Sequence, residues 1–275
     1  MGELGQGAIA KMRTRLDEGL ANYSLPLGDN EIDMSALIGS VLRIEFGGAI
    51  HCVHCNRKTK KSFSQGYCYP CFQKLAQCDS CIVSPEKCHY FEGTCREPAW
   101  GEEHCLRDHI VYLSNTSALK VGITRGTQVP TRWIDQGAVQ ALPIFRVSNR
   151  LQSGLVETVF KAHVADKTSW QAMLKAEPEA RDLSAERDRL LAECQTELDA
   201  LVEQFGEASI KKLNEVETKI RFPVEQYPAK VKAFNLDKAP VAEGTLVGIK
   251  GQYLIFDTGV INMRKYGGYE FRLSA

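Results

Sequence analysis

The sequence predicts a mixed α+β protein. A cysteine-rich, zinc-ribbon-like module is joined to a β-β-α-β-α core, with flanking antiparallel β elements and one long helix. Three observations predict this. Nine of the ten cysteines fall between positions 52 and 105. Directly after them, residues 110–165 alternate short apolar runs with helical spacing in the order strand, strand, helix, strand, helix. Near both ends of the chain, alternating apolar segments are separated by Gly- and Asp-containing turns, the pattern of antiparallel pairs. The expected units are an N-terminal β unit over 1–50, a metal module over 51–109, the core over 110–182, a long helix over 183–207, and a β-rich region over 208–275 able to pair with the N-terminal strands.

Bulk composition narrows the class. The 275 residues carry 34 basic and 34 acidic side chains, so the chain as a whole does not attract polyanions and any nucleic-acid contact must come from local patches. No apolar run approaches the roughly 18 residues of a membrane span. The first residues lack the basic and apolar regions of a signal peptide. A cytoplasmic location is expected, where thiols stay reduced and a cysteine cluster reads as metal ligands rather than disulfides.

Residues 11–16 and 23–27 read as strands around a polar turn, and 41–46 alternates like a half-buried strand. The metal module then opens with Cys52-Val-His-Cys55, twelve residues, and Cys68-Tyr-Pro-Cys71. Two Cys-x-x-Cys knuckles bring four thiolates to the corners of a tetrahedron, the coordination Zn²⁺ prefers. Such a closed site is structural, because no position is left for water or substrate. Between the knuckles lies a basic tip, with Arg57, Lys58, Lys60 and Lys61 beside Phe63 and Tyr67. It reads either as a solvated hairpin tip or as a nucleic-acid contact using phosphate attraction and stacking. A second group, Cys78, Cys81, Cys88 and Cys95, is expected to form another four-thiolate site. Cys105, His104 and His109 are alternative ligands, and its occupant is zinc or an iron–sulfur cluster.

In the core, 110–114 and 119–124 read as strands. Pro130 sits in the first turn of a short helix ending near Gly137, and 142–147 is a third strand. Ser153 is expected to cap a helix through about 165. A short helix over 168–175 and a long amphipathic one over 184–205 follow, the latter burying Leu190, Leu191, Leu198 and Leu201 with Cys194 in the core. Residues 244–250, 253–257 and 260–264 read as strands joined by turns at Lys250-Gly251 and Asp257-Thr-Gly259.

The words Ile110-Val111-Tyr112 and Lys120-Val121-Gly122, followed by Arg132 and Glu157, resemble the GIY-YIG nuclease superfamily. The resemblance implies that Tyr112 helps deprotonate an attacking water, Arg132 stabilises phosphate charge, and Glu157 holds Mg²⁺ or Mn²⁺. Lys120 stands where that superfamily has its second-motif tyrosine, and Ile110 where it has a glycine. Over a longer span, Gly66-Tyr-Cys-Tyr-Pro-Cys71, Gly93-Thr-Cys-Arg-Glu-Pro98, Lys120-Val-Gly-Ile-Thr-Arg125 and Pro130-Thr-Arg-Trp-Ile-Asp-Gln-Gly-Ala138 resemble an uncharacterised bacterial family, domain of unknown function 2797.

The expected function is a zinc-containing protein acting on DNA or RNA, as a divalent-metal phosphodiesterase. Its sites are Tyr112, Lys120, Arg132 and Glu157 for chemistry, and Arg57, Lys58, Lys60, Lys61 and Arg125 for nucleic-acid contact. The alternatives are a catalytically inactive zinc-dependent binding module and a zinc or iron–sulfur scaffold. No phosphate-binding glycine loop or nucleophile–base motif is present to favour another enzyme class.

Overall fold

The computed structural model describes residues 2–164 and 169–275. Strands dominate the N-terminal part: β1 (Glu3–Ala8), β2 (Arg13–Asp17), β3 (Leu20–Leu27), β4 (Asn30–Asp33), β5 (Val41–His51) and the two-residue β6 (Lys58–Thr59). The cysteine module carries α1 (Tyr69–Lys74) and α2 (Pro98–His104). Then come β7 (His109–Asn115), β8 (Leu119–Arg125), α3 (Thr131–Asp135), β9 (Gln140–Val147) and α4 (Arg150–Lys161), in the expected order. Helices α5 (Trp170–Met173), α6 (Leu183–Glu193) and α7 (Gln195–Phe205) lead to β10 (Ile210–Lys212) and β11 (Thr218–Lys219). The chain finishes with β12 (Val241–Lys250), β13 (Tyr253–Phe256), β14 (Gly259–Asn262) and β15 (Tyr269–Ser274). No described helix is long and apolar enough to cross a membrane.

Three antiparallel sheets result. The largest runs β1-β15-β5-β12-β13-β14 with β6 beside β5, so residues 41–51 lie between two C-terminal strands. The second runs β10-β9-β7-β8 with β11 also on β9, and the third is β2-β3-β4. All seven residues of β7 are buried, because both faces of its sheet are covered. Ile110 and Tyr112 face one core with Trp133, Ile134, Leu246 and Ile249. Val111 and Leu113 face another with Val156, Phe160, Leu190 and Leu198. Alternation of period two thus appears in the sequence as an unbroken apolar run.

Pro143 lies inside β9 although it has no N–H to give a ladder. Two local features accommodate it. The β7–β9 register shifts between Val111 and Tyr112, opposite Phe145 and Pro143. On the other side, β10 pairs with 145–147 and β11 with 140–141, leaving Pro143 in the gap.

Two helix boundaries differ from expectation. The N-cap of α4 is Asn149, whose side chain accepts from the Gln152 N–H at 3.0 Å. Ser153 instead donates to the Arg150 carbonyl at 2.7 Å from inside the helix. Asn and Ser are comparable caps, and the end of β9 at Val147 selects the nearer one. The long helix expected over 184–205 is two helices that meet at Cys194, where φ −103° and ψ 11° leave the α region. Cys194 is buried there. The expected helix end at 165 and helix start at 168 fall outside the described residues.

His109, at the start of β7, is fully buried. Its Nδ1 bonds the Arg107 carbonyl at 2.7 Å, and Nε2 has no hydrogen-bond partner among the described residues. Burial lowers its pKa from 6.5 to about 4; the Arg107 carbonyl opposes this, and Arg150 and Arg125 add to it. The folded state therefore holds the ring neutral. Its contribution is complete above the unfolded value and is lost as pH falls toward 4, by up to about 3 kcal/mol. In urea titrations, the loss of stability between pH 6.5 and 4 is expected to be shallower in His109→Gln than in the parent. Equal slopes would show that His109 is not the group responsible.

Candidate metal centre and cationic cleft

The four-cysteine centre is assembled by two local turns. Cys52 follows the end of β5, and the Asn56 N–H closes on the Cys52 carbonyl at 2.9 Å. Asn56 supplies the left-handed residue this turn needs, with φ 55°. Cys68 is the N-cap of α1, Pro70 occupies its first turn, and Cys71 comes one turn on. The sulfurs of Cys52, Cys55, Cys68 and Cys71 all lie within 4.8 Å of one another, with Cys55 and Cys68 at 3.7 Å. A tetrahedron with Zn–S bonds of about 2.3 Å needs S–S edges of about 3.8 Å, so the cluster can hold one zinc ion without rearrangement.

Electrostatics fit the same ion. Burial acts to raise the Cys52 thiol pKa. The N–H groups of Cys55, Cys68 and His54 outweigh it and bring the thiol down to about 6. Burial and the three neighbouring thiols push Cys71 up to about 12. Four ionised sulfurs at this separation need a dication between them. The Arg57 Nε–H donates to the Cys55 sulfur at 3.1 Å, so the first residue of the basic tip braces the metal site. Lys58, Lys60 and Lys61 are exposed on the far side, with the Lys61 ammonium 5.4 Å from the centre of the Phe63 ring.

The second cysteine group is arranged differently from the expected set. Cys78 packs against Cys52, Cys68 and Cys71, on the zinc side of the module. Cys81, Cys88, Cys95 and Cys105 line one small cavity together. His104 stacks on Trp100 with ring centroids 4.3 Å apart. His109 belongs to β7.

The cleft of about 600 Å³ lies between β8, α3, α4 and both cysteine segments. Lys120, Arg125, Arg132 and Glu157, singled out from the sequence, all line it. Lys11, Arg150, Lys161 and Arg264 join them, giving seven cations against the carboxylates of Asp135 and Glu157. Lys11 pairs with Asp135, and Lys161 with Glu157 at 3.1 Å; among the described lining residues, cations still outnumber carboxylates. Burial and then Arg132 hold the Arg264 guanidinium below its usual pKa. Arg150 is lowered chiefly by burial, with Arg132 again pushing down and Cys105 and Cys81 pulling up. Cations gathered in one cleft favour an anion between them.

Tyr112 sits beneath this surface. Its ring is fully buried, and its hydroxyl donates to Gln136 Oε1 at 2.7 Å, a residue on the cleft wall. A Cβ at Gly122 would lie 2.8 Å from the Tyr112 hydroxyl, so the glycine of Lys120-Val-Gly leaves the room this hydroxyl occupies. Burial pushes the phenol up to about 12, against the pull of Arg132 and with Glu157 and Asp135 adding to the rise. Asp135 is clamped from below, since Gln252 donates to it at 2.9 Å and also bonds both backbone groups of Met12.

Arg150 and Arg264 were not singled out from the sequence. Arg264 arrives from a C-terminal turn after β14 and donates to Gln65 Oε1 at 2.6 Å. No local pattern marks it. Arg150 follows the Asn149 cap, and placing the helix start at Ser153 hid its position in the first turn.

Both cysteine segments form cleft wall. Ser64 and Gln65, with φ 44° and 67°, come from between the zinc knuckles, and Ile82, Val83 and Pro85 from the second group. Gly154 of α4 lies against the turn Pro85–Lys87 so closely that a Cβ there would overlap the Glu86 nitrogen and stand 2.5 Å from the Pro85 carbonyl carbon. Both are backbone atoms that cannot rotate away. Gly154→Ala is expected to cost about 1–3 kcal/mol or more, read as a lower urea midpoint at unchanged slope. A neutral effect would mean that the contact yields freely.

No curated protein and no solved structure matches the chain. A family model described as protein of unknown function (DUF2797) matches residues 39–271, which takes in the zinc centre and every residue of the cleft except Lys11. The chain therefore belongs to the DUF2797 family.

Proposed function

We propose that this protein acts on nucleic acid, gripping a phosphodiester in the cationic cleft of a GIY-YIG-like core whose walls are held by the zinc module. The convergence of Lys120, Arg132, Arg150 and Arg264 on one cleft that also contains Glu157 carries this reading. Guanidinium groups fit phosphate oxygens in pairs, and a cation-rich wall neutralises the charge that develops on a transferring phosphoryl group.

The roles follow from the chemistry. Arg132, with Arg150 and Arg264 beside it, binds the phosphate. The Tyr112 phenol, held near 12 and closed to solvent, keeps its proton at neutral pH. It acts as a positioning residue through Gln136 rather than as an ionised base. The hard carboxylate of Glu157 suits Mg²⁺ or Mn²⁺, completed by substrate phosphate oxygens and water, and such an ion would polarise the phosphoryl group. Binding without cleavage is the second reading, favoured by the Lys161 ammonium already seated on Glu157.

A panel of single-stranded, duplex and structured DNA and RNA, with Mg²⁺ or Mn²⁺, separates the two. Cleavage that disappears in Glu157→Ala supports the nuclease. Binding by both proteins with cleavage by neither supports the binding module. Neither binding nor cleavage on any substrate would overturn both.

A further inference from the structure

Cys81, Cys88, Cys95 and Cys105 reach their shared cavity from four separate pieces of chain. Cys81 lies in the turn Ser80–Ile82, and Cys88 closes the turn Pro85–Lys87. Cys95 follows the left-handed Gly93, and Cys105 ends α2. Their spacing is Cys-x6-Cys-x6-Cys-x9-Cys, with no Cys-x-x-Cys knuckle among them. The zinc centre is the opposite case, since two knuckles there pull four sulfurs to within 4.8 Å.

Among the described residues, the tightly gathered ligand groups are that zinc centre and the trio Asp79, Cys81 and His89. No three of the four cavity cysteines are gathered so tightly. Asp79 and His89 line the same cavity, with His89 Nε2 3.4 Å from the Asp79 carboxylate, and Asp79 is engaged by the Arg96 Nε–H at 2.8 Å and the Ser80 N–H at 2.5 Å. Four sulfurs spread around a closed cavity suit a polynuclear centre, because metal atoms stand between its thiolates, whereas a single zinc ion draws them together.

The surroundings match such a centre. Tyr90, Trp100 and Ala76 supply an apolar shell. The Gly101 Cα approaches so closely that a Cβ there would lie 3.5 Å from the Cys95 sulfur and 3.0 Å from the Tyr90 ring. Arg150 ties two of the ligand segments to α4. Its N–H bonds the Cys105 carbonyl at 2.8 Å, and its guanidinium donates to the carbonyls of Cys81 at 3.3 Å and Ile82 at 2.6 Å. That same arginine lines the cationic cleft, so whatever orders these four cysteines also positions a cleft cation.

We propose that Cys81, Cys88, Cys95 and Cys105 hold an iron–sulfur cluster of the four-iron type, distinct from the zinc bound by Cys52, Cys55, Cys68 and Cys71. Each of the four thiols loses one proton on taking up a preformed cluster delivered by the cell, so neither iron nor sulfide changes oxidation state in the step. No electron transfer by the cluster is invoked, and its role is to hold Arg150 and the Ile82–Pro85 wall. The assignment does not depend on the phosphodiester reading, because metal content tests it without activity.

The full chain, prepared without oxygen after iron-supplemented expression, is expected to contain one zinc with about four irons and about four sulfides, and to absorb broadly in the visible. Cys105→Ser should lose the iron and keep the zinc. Cys52→Ser should lose the zinc and keep the iron, and Cys78→Ser should keep both. Two zincs and no iron, or one zinc with no second centre, in the parent protein would overturn the proposal whatever the variants do. Iron retained in Cys105→Ser but lost in Cys78→Ser would overturn the ligand set.

Discussion

Removing the zinc, by a strong chelator or by Cys52→Ser, is expected to unfold residues 52–75 and, under the proposed function, to abolish phosphodiester binding in the cleft. Apart from the metal, the segment is held by the short β5–β6 pair, the Phe63–Phe72 stack, Arg96 on the Phe72 and Leu75 carbonyls, and a small apolar cluster. Its buried cluster consists of Cys52, Cys68, Cys71, Leu75 and Cys78, with Tyr67 and Phe72 packed against it. An apolar core this small stabilises little, whereas structural zinc contributes about 10–16 kcal/mol in isolated zinc-finger peptides. Without the ion, four thiols crowded within 4.8 Å no longer share a counter-charge, and the two turns separate.

The effect reaches the cleft by a short route. Ser64 and Gln65 stand between the knuckles in left-handed conformations and form cleft wall, and Gln65 accepts from Arg264 at 2.6 Å. Loss of the module therefore frees Arg264. Limited proteolysis should cut the metal-free chain between 53 and 67, and one zinc per chain should be released in step with that sensitivity. A metal-free chain that resists cutting would show that the module folds on apolar contacts alone.

Arg132→Ala is expected to lower phosphodiester turnover by about 10²–10³-fold if the cleft is catalytic. In either reading it should also weaken nucleic-acid binding and reduce the magnitude of its salt slope by about one. Arg132 stands close to the other charges: it adds to the burial that lowers Arg150 and Arg264, and it opposes the burial that raises the phenol of Tyr112. Arg132→Lys keeps the charge and removes the planar fork, so it should restore the salt slope but little of the turnover. Equal rescue of both by lysine would mean that charge alone matters there. An unchanged salt slope in Arg132→Ala would place the nucleic acid elsewhere, and the exposed Lys58, Lys60 and Lys61 would be the next surface to test.

The electrostatic part of the cleft was only half legible. Lys120, Arg125, Arg132 and Glu157 sit within one β-β-α-β-α stretch, and the order of motifs singled them out. Lys11 and Arg264 enter from opposite ends of the chain, because β5 draws in β15 and β12 and Gln252 ties Met12 to Asp135. Contacts between residues 240 positions apart leave no local periodicity to read.

By itself the sequence determined which four cysteines gather into a cluster able to hold zinc, and the succession of strands and helices in the core. Both are short-range properties. A Cys-x-x-Cys turn carries its geometry within four residues, and apolar periodicity records which faces must be buried. Tertiary structure alone decided that Cys105 rather than Cys78 shares a cavity with Cys81, Cys88 and Cys95. Spacing favoured Cys78, which stands in Cys-x-x-Cys register with Cys81, over Cys105. The choice was made when Gly154 let α4 close on the Pro85–Lys87 turn and Arg150 bonded the Cys81, Ile82 and Cys105 carbonyls, fixing from outside the module which thiols face one another.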